Sequence, residues 1–226
     1  GCIAYGTMRI DGEEYRLDIN GMAGHLNGGV KGFAGRLWES RVETNRVVMS
    51  LSSDDGDQGY PGNLQVEAAF DFDEDNALEI TYIARTDRTT PVNMACNLLL
   101  NLGGEGSGSV LDHELRLDAS TVLEADDRLI PTGKLLGVAG TPADFRSLRR
   151  LGEGVDSDFD RIRMLREYDH FFPVDGWRQN ILTEVGELRD ARSGRRVEIL
   201  SSQPGVTLYT GNRLGGGCPE TKSGGR

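Results

Sequence analysis

Hydrophobic positions along this chain recur mostly at every second residue. Met8 and Ile10, then Asp11-Gly12, then Tyr15, Leu17 and Ile19 describe two alternating strands. The Asp-Gly dipeptide between them accepts the positive φ angles of a type I′ turn, so the segment reads as a hairpin. Further strands are predicted over Val47 to Ser53, Leu64 to Phe72, Leu78 to Ala84 and Asn93 to Leu102. Turn-forming clusters punctuate them at Asp54-Asp55-Gly56, Pro61-Gly62-Asn63 and Asp73 to Asn76. A short strand at Glu114 to Leu117 precedes a stretch from Asp126 to Asp160 with weaker periodicity, where a short helix is expected near Asp144 to Leu151. Val197 to Ser202 and Val206 to Thr210 restore the strand pattern. No amphipathic run is long enough to serve as the crossover helix of a parallel βαβ unit. The pattern therefore predicts an all-β antiparallel sandwich with long loops, and 226 residues without a low-complexity linker fit one domain, 1–226.

Charge narrows the partners. The chain carries 25 Lys and Arg against 36 Asp and Glu, a net charge of -11. That balance repels phosphate backbones and anionic lipid surfaces, so neither nucleic acid nor membrane is an expected partner. No apolar run is long enough to cross a bilayer, and no signal-like leader precedes the first strand. Cys2, Cys96 and Cys218 are too few, and odd in number, for a secreted disulfide framework, which points to a reducing cytoplasm. His25, His113 and His170 are too far apart in sequence to suggest a metal site. The glycine-rich run Gly103 to Ser109 lacks the Gly-Lys-Ser/Thr ending of a phosphate loop and reads as a strand connection. Arg146 to Arg150 reads as a solvated face.

Several segments together resemble one family. Thr90 to Leu102, TPVNMACNLLLNL, is similar to the TPVNLTNHSYFNL strand of the aldose 1-epimerases, or galactose mutarotases. His25-Leu26-Asn27-Gly28-Gly29 leading to Gly32-Phe33 and Trp38 resembles the LHGGxxGFxxxxW element, and Gly6 to Tyr15 the GxFxLDGxxY hairpin. Ser53 to Gly62 matches an SxDGEEGYPG turn. Leu129 to Gly133 with Gly140 to Arg146 matches LIPTG and GTPFDFR. Tyr168-Asp169-His170 and Gln203 to Asn212 match YDH and QPGVQxYTGN. The resemblance covers nearly the whole chain in the family's order. It implies a galactose-mutarotase-like β-sandwich with a sugar cleft, no cofactor, and a monosaccharide partner such as galactose or glucose.

The implied chemistry is the interconversion of α and β anomers. It requires protonation of the ring oxygen while the proton of the C1 hydroxyl is removed, so two groups that transfer protons near neutral pH must flank the sugar. Histidine suits the acid role; an amide donates a hydrogen bond but releases no proton at useful pH. Carried over position by position, the family's acid histidine falls at Asn97 and the histidine of LHGG at Asn27. The arginine of an ANRI segment falls at Cys2, the asparagine before it at Gly1, and the second glutamine of QPGVQ at Thr207. Asp169 retains the sugar-binding carboxylate of YDH. The base glutamate, in a GxxLExQ segment, lies farther along than Arg226, and the family's first strands precede Gly1. The domain is therefore expected to be incomplete at both ends. Loss of a general acid slows a reaction by about 10² to 10⁴, so the chain as written is expected to be inactive or very slow. His25 could replace the acid only across roughly 6.6 Å, its displacement from Asn27 along an extended strand. A non-catalytic carbohydrate-binding protein is the alternative, and a sugar-phosphate epimerase is a third reading, disfavoured by the lost arginine. Taken without the resemblance, Asn97 reads as an ordinary polar residue at a strand edge and Asp169-His170 as a surface turn whose following aromatics enter the core.

Overall fold

The computed structural model describes residues 1–159, 162 and 167–211. Their contacts divide the chain into two compact units. The first comprises Gly1–Cys96 with Asp127–Ile130, and the second Asn97–Asp126 with Pro131–Arg226.

In the first unit β1 (Cys2–Ala4) pairs with β4 (Gly24–Leu26), and β2 (Thr7–Ile10) with β3 (Glu13–Arg16). Asp11 and Gly12, at φ 51° and 88°, form the left-handed turn that their sequence predicts. β5 (Glu39–Glu43), β6 (Arg46–Ser53), β7 (Leu64–Phe72) and β8 (Leu78–Thr86) form an antiparallel four-stranded sheet in sequential order. The register aligns Val47, Phe70 and Ile80 on one face, followed by Met49, Ala68 and Tyr82, so that face is continuously apolar. The opposite face carries ion pairs from Arg41 to Glu67 and from Arg46 to Asp71.

The second unit holds the hydrophobic core. β12 (Arg149–Arg150), β9 (Glu114–Leu117), β14 (Thr183–Arg189) and β15 (Arg196–Ser201) make one sheet in that order. Two ribbons accompany it, β10 (Thr121–Ala125) with β11 (Pro131–Gly137), and β13 (Asp169–Pro173) with β16 (Gly205–Tyr209). Leu115, Leu117, Val122, Val138, Phe145, Tyr168, Phe172 and Val185 are all buried in one cluster. Phe145 stands edge-on to Tyr168 at 5.2 Å and to Phe172 at 6.2 Å, an arrangement that aligns ring edges with ring faces. At the β14 irregularity a Cβ on Gly186 would lie 2.1 Å from the Arg116 carbonyl oxygen, so only glycine lets the two backbones approach there.

Some expectations need correction. β3 ends at Arg16 rather than Ile19: the Leu17 amide still donates to the Gly6 carbonyl, but Tyr5 and Gly6, at φ 56° and 62°, turn the partner strand away and leave nothing for Ile19 to pair with in this hairpin. Asn93 to Leu102 forms no strand: no described strand pairs with it, and Leu98, Leu99 and Leu100 are exposed. An alternating sequence becomes a strand only where a partner edge satisfies its backbone groups. The helix expected near Asp144 to Leu151 is absent as well, since its backbone bonds go elsewhere. Leu117 donates to the Phe145 carbonyl, Leu151 donates to the His113 carbonyl, and the Asp144 carboxylate accepts from Gly140. β11 and β12 occupy part of the stretch that looked aperiodic.

Candidate functional site

The sequence-predicted residues fall into two groups, one on each unit. In the first unit, β1 and β4 place Cys2 opposite Leu26 and Ile3 opposite His25. Asn20 holds the end of β4: its side-chain amide donates to the Leu26 carbonyl at 3.0 Å and accepts from the Leu26 amide at 2.7 Å. The strand then stops. Asn27, Gly28 and Gly29 have φ of 50°, 82° and 92°, a left-handed run that asparagine and glycine tolerate. The same-face spacing expected between His25 and Asn27 therefore does not apply, because Asn27 is no longer on a strand.

Asn27 is exposed, and its Oδ1 accepts from the Gly1 nitrogen at 2.9 Å. Cys2 is exposed and free. His25 is 1% exposed. Its Nδ1 is 2.7 Å from the Asp18 carbonyl and so carries the proton, while the ring packs edge-on to Tyr60 at 5.3 Å. His25 thus pins the Gly-rich loop from beneath.

The loop is braced on its other side by the 54–60 turn. Gln58 Oε1 accepts from the Lys31 amide, and Arg36 pairs with Asp57 at 2.6 Å. A Cβ on Gly29 would lie 2.6 Å from Gln58 Oε1 and 2.7 Å from His25 Cε1, at a φ that L-residues avoid. Gly29→Ala is expected to cost about 1–3 kcal/mol, readable as a lowered denaturation midpoint. Asp57 is held below the usual carboxylate range first by its hydrogen bond from Arg36, and also by the one from Ser53. A depressed folded value contributes stability above the unfolded pKa of about 3.9, and that stability is lost as the pH falls through the folded value. Asp57→Asn should therefore flatten the decline in stability below about pH 4 in an acid titration.

In the second unit, β13 and β16 place Asp169 opposite Tyr209 and Phe171 opposite Thr207. Alternation sends His170 and Phe172 into the interior, at 5% and 0% exposure, and leaves Asp169, Phe171 and Thr207 on the other face. Asp169 and Thr207 are both exposed diagonal neighbours, about 7–8 Å apart by strand geometry. Neither side chain is engaged by a hydrogen bond among the described residues. The Phe171 ring lies across Gly205, where a Cβ would meet Phe171 Cζ at 2.2 Å. Carboxylate, aromatic ring and hydroxyl thus share one open surface. Sequence reasoning missed Phe171; the signal was period-two alternation from Asp169, which puts residue 171 on the face of residue 169. Asn97 begins the second unit, exposed and outside any ladder. No group of three or more His, Cys, Asp or Glu side chains among the described residues could hold a metal ion.

Comparison with known proteins gives this geometry its family. The aldose 1-epimerase family description matches residues 2–224. The galactose mutarotase of Bos taurus is 40% identical over 214 residues, covering 95% of this chain and 60% of the relative. The aldose 1-epimerase of Escherichia coli is 36% identical over 217 residues, covering 95% and 61%. The crystal structure of galactose 1-epimerase from Lactobacillus acidophilus matches with a TM-score of 0.77 at 28% identity, covering 95% of this chain and 62% of that one. A C. elegans aldose epimerase homologue matches with a TM-score of 0.77 at 25% identity, covering 92% and 62%. The chain spans about three fifths of the length of these relatives. With a family match from end to end and the same all-β architecture in solved relatives, the chain belongs to the aldose 1-epimerase family.

Proposed function

We propose that this chain recognises an aldohexose, galactose or glucose, in the frame of α/β anomer interconversion within hexose metabolism. The observation that carries the reading is the open face of β13 and β16. Asp169 offers an unengaged carboxylate for sugar hydroxyls, Thr207 offers a hydroxyl, and Phe171 offers an apolar surface for the C–H side of the ring. The names of the relatives, galactose mutarotase and aldose 1-epimerase, point to the same substrate class. Ring opening by acid and base requires no cofactor.

The proton-transfer step runs slowly or not at all in the chain as written. Asn27 and Asn97 stand where the family pattern has imidazoles, and an amide cannot deliver a proton. A purely carbohydrate-binding role is the second reading: it keeps the Asp169 carboxylate for sugar hydroxyls and transfers no proton. Free Cys2 and Cys96 support a reducing cytoplasm as the compartment, and the acidic balance argues against nucleic acid and membrane partners. Isothermal titration of the chain with D-galactose tests the reading. Saturable binding is expected, and its absence up to the solubility of the sugar would remove the proposal.

A further inference from the structure

A second polar hollow, of about 210 Å³, lies within the second unit between the glycine-rich connection 103–109 and the turn at 190–195. His113 forms its inner wall and is 3% exposed. The Leu102 amide donates to His113 Nε2 at 2.9 Å, which places the lone pair on Nε2 and the hydrogen on Nδ1. That Nδ1–H is buried and has no acceptor among the described residues. A buried donor without a partner is costly, and the hollow is where a partner fits.

The remaining lining decides what the partner is. Asp190, 4% exposed, is held in place by the amides of Ser193 at 2.9 Å and Arg192 at 3.4 Å. Asp112 stands exposed at the rim, with Arg192 as the cation. Ser109 Oγ accepts from the Leu111 amide at 3.2 Å, which leaves its hydroxyl hydrogen free to donate. Two carboxylates against one guanidinium disfavour an anion. His113 Nδ1 carries a hydrogen and so offers no lone pair to a metal cation. What satisfies both is a neutral group that accepts from the imidazole and donates to a carboxylate, which is a hydroxyl. Adjacent hydroxyls would engage Ser109 and Asp112 together. The volume is below the 300–1,000 Å³ or so of pockets for drug-sized ligands, and suits a single small ring.

We propose that this hollow is a second binding site, for a small neutral polyol of one sugar ring or less, anchored on His113 Nδ1–H and the carboxylates of Asp112 and Asp190. It uses none of the residues of the β13 and β16 face, so it stands whether or not that face binds an aldose.

The test is a titration of the ¹⁵N-labelled full chain followed by NMR, using myo-inositol and glycerol, with inorganic phosphate and calcium chloride as comparison probes. Expected are saturable shifts of the Ser109, Asp112, His113 and Ser193 amides and of the His113 ring nitrogen with the polyols. Asp112→Ala and Ser109→Ala, both at exposed positions, should each weaken that response at least tenfold, while Asp169→Asn leaves it unchanged. Absence of saturable polyol shifts would overturn the site. So would a response confined to phosphate or calcium, or a water resonance at His113 Nδ1–H that no polyol displaces.

Discussion

Replacing Asp169 with asparagine will weaken aldose binding by about ten- to hundredfold and leave folding stability unchanged. In the free chain the carboxylate holds no part of the fold together. It is exposed at the start of β13, its backbone is secured by pairing with Tyr209, and its oxygens accept no hydrogen bond among the described residues. The fold therefore loses nothing when the charge is removed. A sugar hydroxyl bonded to a carboxylate gains about 1.5–3 kcal/mol, and each 1.4 kcal/mol is a factor of ten in affinity. Thr207→Val, which deletes one neutral hydroxyl and keeps the shape, should cost only a few-fold, as expected for about 0.5–1.5 kcal/mol. Calorimetric titration with D-galactose checks both. No loss at Asp169→Asn would mean that the sugar does not lie on this face.

The largest stability effect is expected from Phe145→Ala. The ring is 1% exposed and makes edge contacts with both Tyr168 and Phe172, so truncation leaves a cavity bounded by two rigid aromatic groups that cannot collapse into it. Such truncations cost about 3–5 kcal/mol, against a typical total stability of about 5–15 kcal/mol. The Phe145 carbonyl still accepts from Leu117, so the change isolates packing from backbone pairing. Chemical denaturation should show a midpoint displaced toward low denaturant, with Asp169→Asn as the unshifted control. A loss below about 1 kcal/mol would mean that the cluster relaxes around the gap.

These two residues also show how far the sequence can be read. The strands at Leu64–Phe72 and Glu114–Leu117 fall where alternation places them: Val66 and Ala68 on one, and Leu115 and Leu117 on the other, are buried at period two. Asn93 to Leu102 carries a similar pattern and forms no strand, since pairing depends on a partner edge that no local pattern encodes. The 144–151 segment looked helical, yet its amides and carbonyls answer to Leu117, His113 and Gly140, all distant or side-chain-mediated choices. β11 was missed because most of it is exposed and so lacks an apolar rhythm.

The site divides in the same way. The Tyr-Asp-His segment singles out Asp169 as a candidate, and the structure places it exposed at the start of β13. Phe171 was not singled out, because its place beside Thr207 and over Gly205 follows from cross-strand register. His25 was read as a neighbour of Asn27 on an extended strand. The left-handed Asn27, at φ 50°, breaks that relation, and the Asp18 carbonyl claims the imidazole.

The most direct measurement is anomer exchange, followed by polarimetry of freshly dissolved α-D-galactose with this polypeptide present at a concentration that saturates binding. Asparagine at positions 27 and 97 predicts a relaxation rate equal to that of buffer, with the sugar bound and its ring closed. A rate that rises in proportion to protein concentration would contradict this, and would require a proton donor elsewhere in the chain.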